Sequence, residues 1–382
     1  MASSQQPQLP VLPGPPYPPT TAQLGLVPSI IPDVPISSAL LALFLGGAAT
    51  NLVIFRANRK RGFRFVFSMV FFVFCVIRIA ALALRIAWAC HKRNVRLGIA
   101  AQIFTAAGVL VLFVSNLAFA LRFVRAYHPS LGWKQWVKCV FGVLFASAVT
   151  VLAMVITVTV QGFFVKEGSS VKEIDRKIQL VCGTYLAAYA FLPVPIAVGA
   201  ALWPKRTRID PFGQGQLGTN LGLLTTGALL LTAGATFRAV VTFLQRPIRD
   251  PGWFHSRACF YIFNFTIELL VVYLYTLARF DKRFHVRDGS SAPGHYSCVD
   301  LKQGDMTALA EAMSAANERI EDNEGDRKSD SRWRIGSRPK SANDSYVARP
   351  VEMSNQERDA DLAWLACALN ILYGEELDKQ AS

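Results

Sequence analysis

Residues 254–279 read FHSRACFYIFNFTIELLVVYLYTLAR. At about 1.5 Å per residue in a helix, this run is long enough to cross a hydrocarbon core of about 30 Å. It carries Glu268 near its middle, with Arg257 and Asn264 before it. A carboxylate at that depth is costly unless something answers it, and ionisable side chains inside a span are functional candidates by default. Reading this stretch as a span decides the fold, because six more apolar runs precede it, at about 36–55, 65–89, 97–121, 137–160, 178–203 and 217–244. The expectation is an all-α fold, a seven-transmembrane helix bundle occupying residues 36–280.

The polar residues inside those runs are few. The second run holds Arg78 and Arg85, seven residues apart and so on one helical face. The third holds Gln102 and Asn116, and the sixth holds Arg238. Arg78 lies near the expected midplane, whereas Arg85, Arg238 and Arg257 fall in one half. Arginines on several helices suit a polar cavity open toward that half, which would accept an anion, a phosphate or a carboxylated ligand, so an anionic or lipid-like ligand is the expected small-molecule partner. The bland alternative is that they bond backbone carbonyls or snorkel outward. Glu268 is the only acid in the seven runs as bounded above. Counting along the helices brings it within about 11 Å of Arg78 in depth, so Arg78 is its expected partner and Arg85 the competitor. Pro193 and Pro195 predict a kink or break in the fifth run. Gly218 and Gly222 have GxxxG spacing, a weak signal for close helix contact.

Composition agrees with a membrane class. Of 382 residues, 52% are hydrophobic and 17% charged, with mean hydropathy +0.31. The net charge of +14 does not point to nucleic acid, because the basic residues sit in short loops between apolar runs. With the N-terminus outside, the inner segments hold 15 Lys and Arg and the outer ones 9. That bias predicts an outside N-terminus and a cytosolic C-terminus, in the plasma membrane rather than internal membranes. The seven cysteines form no CxxC pair and have no His cluster beside them, so no metal or other cofactor is expected. Cys90 and Cys182 fall near the same surface and are the candidate disulfide.

Both ends of the chain differ from the middle. Residues 1–35 hold ten of the twenty prolines and no Lys or Arg, which predicts an extended, disordered tail. Residues 281–382 are polar and acidic on balance, with 14 basic and 19 acidic residues. Two stretches there, 304–321 and 359–373, have apolar residues at helical spacing. Acidic flanks around the second favour a cytosolic protein partner over a lipid surface.

Several chemistries lack their residues. The last run has no lysine for a retinal Schiff base. Leu121-Arg122-Phe123 stands where rhodopsin-class receptors carry an acid-Arg-Tyr triplet, and no NPxxY closes the last run. HExxH, GxSxG and Walker motifs do not occur. An enzyme is therefore the least favoured class.

The stretches PTTAQLGLVPSIIPDVPISSALLALFLGGAATNLVIFRANRKRGFRF and NVRLGIAAQIFTAAGVLVLFVSNLAFALRFVRAYHP, with the Arg78–Arg85 segment between them, carry a resemblance. Over roughly residues 19–285 the chain resembles a filamentous-fungal family of seven-span integral membrane proteins of unknown function. The resemblance implies a fungal source and a multi-pass fold, and no activity. The sequence by itself favours a receptor or sensor. A small-solute or lipid transporter is the alternative, and a non-catalytic membrane scaffold the third reading.

Overall fold

A computed structural model describes residues 16–17, 21–61, 65–92, 94–165, 168–204, 209–286 and 296. The stretches 304–321 and 359–373, and the rest of the C-terminal tail, lie outside the described residues. Seven helices are long and apolar enough to cross a membrane: α1 (Ile30–Lys60), α2 (Val66–Cys90), α3 (Val95–Tyr127), α4 (Gln135–Phe164), α5 (Ser170–Leu202), α6 (Leu217–Phe243) and α7 (Arg257–Leu277). Successive helices run in opposite directions, so α1, α3, α5 and α7 begin at one face of the bundle, here the first face. The protein is an all-helical bundle suited to an integral, multi-pass place in a lipid bilayer. Among the described residues, the one backbone bridge outside the helices joins Thr21 and Pro247.

Two boundaries differ from expectation. The stretch 161–177, left between two apolar runs by their expected bounds, is mostly helix: α4 runs on to Phe164 and α5 starts at Ser170. The first helix begins at Ile30, not near residue 36, and the described part of 1–35 is not a free tail. Ile31 still has extended dihedrals, so the regular helix starts at Pro32. Proline suits that first position, where its missing N–H would have no partner anyway.

Ahead of α1, residues 21–29 form a strap across the first face. The Ala22 N–H donates to the Arg246 carbonyl at 2.8 Å, and the Gly25 N–H donates to that of His255 at 3.0 Å. Gly25 has φ +85°, and a Cβ there would come within 2.5 Å of the Phe260 ring. Only glycine meets both demands.

α3 and α7 are the most enclosed helices; α3 touches α2, α4, α6 and the second half of α5. α4 is the outlier, with 11% of its apolar window buried, as its uniform Val, Ala and Thr content predicts for a lipid-facing helix. Lipid tails are as apolar as leucine, so helix association here rests on close packing and polar links rather than on burial from water. Gly47 of α1 shows the packing: a Cβ there would lie 3.4 Å from the Cys75 sulfur of α2 and 3.7 Å from Val272 of α7. Gly218 and Gly222 have nothing within 4 Å, so the GxxxG spacing does not make a helix contact. At Pro193 and Pro195, α5 divides into the segments Ser170–Phe191 and Pro193–Leu202, although Leu192 between them keeps helical dihedrals. Cys90 and Cys182 are both free thiols.

The second face is closed by aromatic rings. Phe71 stacks on Phe280 at 4.8 Å, Phe119 on Phe284 at 4.6 Å, and Phe123 meets Phe212 edge-on at 5.1 Å. The chain turns there on Arg279, whose φ is +54°. Its side chain donates twice to Asp281, which also accepts from Asn58 at 3.1 Å. Burial pushes the Asp281 carboxyl up, but the bonds from Arg279 and Asn58 outweigh that and hold it below its ordinary value.

Candidate functional site

α7 is not one regular helix. A five-residue π turn, Ile262–Thr266, separates helical residues 257–261 from 267–277. The Thr266 hydroxyl donates to the Tyr261 carbonyl five residues back, at 3.2 Å. Side chains that intrude on the backbone ladder in this way stabilise such turns, which often mark functional positions. The turn directs Tyr261, Asn264 and Glu268 all inward, with relative exposures of 4%, 2% and 1%. α6 approaches it closely, because a Cβ on Gly234 would lie 3.0 Å from the Phe263 carbonyl oxygen. Phe237 stacks on Phe263 at 3.8 Å beside that contact.

Glu268 holds two arginines. Arg78 Nη2 lies 2.5 Å from Glu268 Oε2, and Arg238 Nη1 lies 3.3 Å from Oε1. Arg78 and Glu268 are 0% and 1% exposed. The pairing inferred from depth is therefore present. Arg78 Nη1 also donates to the Thr105 carbonyl at 2.8 Å, and the guanidinium lies over the Phe74 and Phe265 rings. Gly108 makes room for it, since a Cβ there would sit 2.8 Å from Arg78 Cζ. Arg238 Nη1 also donates to Asn264 Oδ1 at 3.2 Å. With all three groups ionised, the cluster carries one positive charge more than its carboxylate balances.

A second cluster lies nearer the first face, around Asp33. Asp33 Oδ1 accepts from Arg85 Nη2 at 3.1 Å and from the Tyr261 hydroxyl at 2.8 Å. Its Oδ2 takes the Ser29 N–H at 2.9 Å and faces Arg257 Nε at 3.0 Å. Arg85 also donates to the Gly25 carbonyl at 2.9 Å and stacks over Phe260 at 4.0 Å. Arg85 therefore answers Asp33 and does not compete for Glu268. The expectation that Glu268 is the only acid within a span fails, because α1 starts early enough to bury Asp33. Tyr261 joins the cluster to Ser37 at 2.8 Å. Asp33, Ser37 and Tyr261 were not singled out from sequence. One signal existed: Asp33 is the only acidic residue before Glu167, while Arg85 and Arg257 both needed a partner.

The other expected residues divide. Gln102 donates to Gln23 of the strap at 2.6 Å. Asn116 belongs to neither cluster; it accepts from the Tyr275 hydroxyl at 2.7 Å, deeper in the bundle. Pro193 and Pro195 lie far along α5 and line no cavity described here.

A cavity of about 610 Å³ opens at the first face. The strap residues Thr21–Leu24 and Leu26 border it, and its walls come from α3, α4, α5 and α6, with Arg85 and Trp88 of α2 and Phe260 and Asn264 of α7. Gln102, Arg238 and Asn264 line it, so the Glu268 cluster borders the cavity through Arg238 and Asn264. Among the described residues, no three His, Cys, Asp or Glu side chains come together as a metal site.

Comparison with known proteins adds one match. No curated protein and no solved structure matches the chain. Residues 213–285, which span α6, α7 and the turn after it, match a family described as "Protein of unknown function (DUF3112)".

Proposed function

We propose that the protein is a receptor- or sensor-like seven-span protein whose ligand, an anionic or lipid-like small molecule, binds in the first-face cavity. The observation that carries this reading is that the cavity meets a charged cluster at the bundle centre. Arg238 faces the cavity and touches Glu268, which in turn holds Arg78 of α2. A ligand that bonds Arg238 weakens or strengthens its hold on Glu268, and so changes how α6, α7 and α2 are held together. Such a coupling needs differential contacts in two states, and a shared carboxylate supplies them. Loop charge supports an outside N-terminus and hence a mouth on the outer side, in the plasma membrane. The helical dihedrals of Leu192 mean that α5 is not unwound at its prolines, which favours a receptor over a transporter, because transporter sites are commonly built on unwound helices.

The test compares deletion cells with cells restored by wild type or by Leu186→Trp, which fills the cavity wall. Cells are challenged with a panel of carboxylates, phosphates and lipids. A transcriptional response that wild type restores and Leu186→Trp does not supports the reading. Uptake of a labelled compound into proteoliposomes, with no cellular response to it, would replace the reading with transport.

A further inference from the structure

The lining of the cavity is sorted by depth. Its rim carries Lys172, Glu173, Asp175 and Arg176 at the start of α5, where opposite charges offset one another. Its lower wall is apolar: Leu110 and Phe113 of α3, Leu152 and Val155 of α4, and Leu186 of α5. Leu186 lies ten residues beyond Arg176 on α5, or about 15 Å deeper at about 1.5 Å per residue. Between rim and floor stands Arg238.

Arg238 differs from the other buried arginines. Arg78 is 0% exposed, and Arg85, which also reaches the cavity wall, is 6% exposed with its donors on Asp33, Gly25 and Tyr261, whereas the Arg238 side chain is 23% exposed in the same wall. Both of its bonds, to Asn264 and to Glu268, leave from Nη1 alone. Glu268 is already engaged by Arg78 at the shorter distance, 2.5 Å against 3.3 Å. The surplus positive charge of the cluster is thus presented on Arg238, at the top of an apolar well. A neutral solute would leave that charge unanswered, and a small hydrated anion would leave the well empty.

Resting on the ligand-binding reading above, we infer that the cavity takes a single-chain amphiphile with an anionic head, its head on Arg238 and its alkyl tail toward Leu110, Phe113, Leu152 and Leu186. A planar carboxylate or a phosphate ester matches the free edge of the guanidinium. The tail gains by filling apolar space that otherwise lacks contacts. The same chemistry is offered by a free fatty acid in solution and by a lysophospholipid in the bilayer.

The experiment uses the full chain in nanodiscs of phosphatidylcholine. Intrinsic fluorescence reports binding, since Trp88 lines the cavity. The probes are decanoate, decanol, decyltrimethylammonium, butyrate and lysophosphatidate. Decanoate should bind saturably and about ten- to a hundredfold more tightly than decanol, the worth of a hydrogen bond to a charged group. Arg238→Gln should erase that preference and Arg238→Lys should restore part of it. Leu186→Trp should weaken decanoate more than butyrate, which gives a check independent of Arg238. Saturable binding of lysophosphatidate without decanoate would uphold the inference and place the source in the membrane. Equal binding of decanoate and decanol, tighter binding of decyltrimethylammonium, or an intact preference in Arg238→Gln would overturn it while leaving a ligand cavity in place. Absence of binding by every probe would overturn the ligand cavity itself.

Discussion

Glu268→Gln is the sharpest test of the central cluster. The change keeps the shape of the side chain and removes its charge. Arg78 is then left with the Thr105 carbonyl and two ring faces, and Arg238 is left without a carboxylate. Arg78 has no exposure to recruit water, so the loss is that of breaking a fully buried pair, about 3–5 kcal/mol. Arg78→Leu leaves Glu268 with Arg238 at 3.3 Å and costs less, about 2 kcal/mol. Arg238→Gln removes the surplus charge and leaves a balanced pair; with its side chain 23% exposed, it stays within about 1 kcal/mol of wild type. The double change Arg78→Leu with Glu268→Gln costs less than the sum of the singles by at least about 1 kcal/mol. Thermal unfolding of each variant in nanodiscs, followed by fluorescence, reads the order. Strictly additive losses, or Arg238→Gln as harmful as Glu268→Gln, would refute the account.

Four further outcomes follow from named contacts. Gly108→Ala pushes a Cβ to 2.8 Å from a fixed guanidinium and destabilises by about 1–3 kcal/mol, whereas Gly222→Ala, with open space around it, is neutral or mildly stabilising in the same melts. Asp33→Asn weakens the hold on Arg85 and Arg257, costs about 2–3 kcal/mol, and exposes residues 21–29 to limited proteolysis, read by mass spectrometry. The lowered Asp281 value means that its links to Arg279 and Asn58 contribute fully above the ordinary carboxylate value of about 3.9 and fade as pH falls through the lower folded value. The gap in melting temperature between wild type and Asp281→Asn should therefore be constant near neutrality and close only in strong acid; a gap that widens on acidification contradicts the assignment. A tag at the N-terminus should label on intact cells and a tag after Ser382 should not, with the reverse pattern overturning the orientation.

The seven helices were legible because length and apolar content alone define a span. The Arg78–Glu268 pair was legible from depth, since helical rise converts residue number into distance. That Arg238 shares Glu268 was not, because it needs the adjacency of α6 and α7 and a close approach at Gly234. Asp33 was lost for a different reason. Pro32 and Pro35 made the segment look like a tail, yet a proline at the start of a helix is well tolerated and does not mark where order begins. The π turn has no local sequence signature; it becomes visible only when Tyr261, Asn264 and Glu268 are seen to face the same interior. The strap was equally hidden, since it depends on Gly25 fitting against Phe260 and on carbonyls of Arg246 and His255, far along the chain.

The ring stacks at the second face give the bundle the geometry of a cup rather than a corridor. Below the cavity floor at Phe113, α3 carries Phe119 and Phe123, locked to Phe284 and Phe212 and backed by the Phe71–Phe280 stack. Each such ring pair adds about 0.5–1.5 kcal/mol beyond simple contact. A molecule travelling onward would have to separate several of them together, whereas the first face already has an opening. On the proposed ligand reading, an occupant would enter and leave by the first-face mouth alone, between the strap and the start of α5.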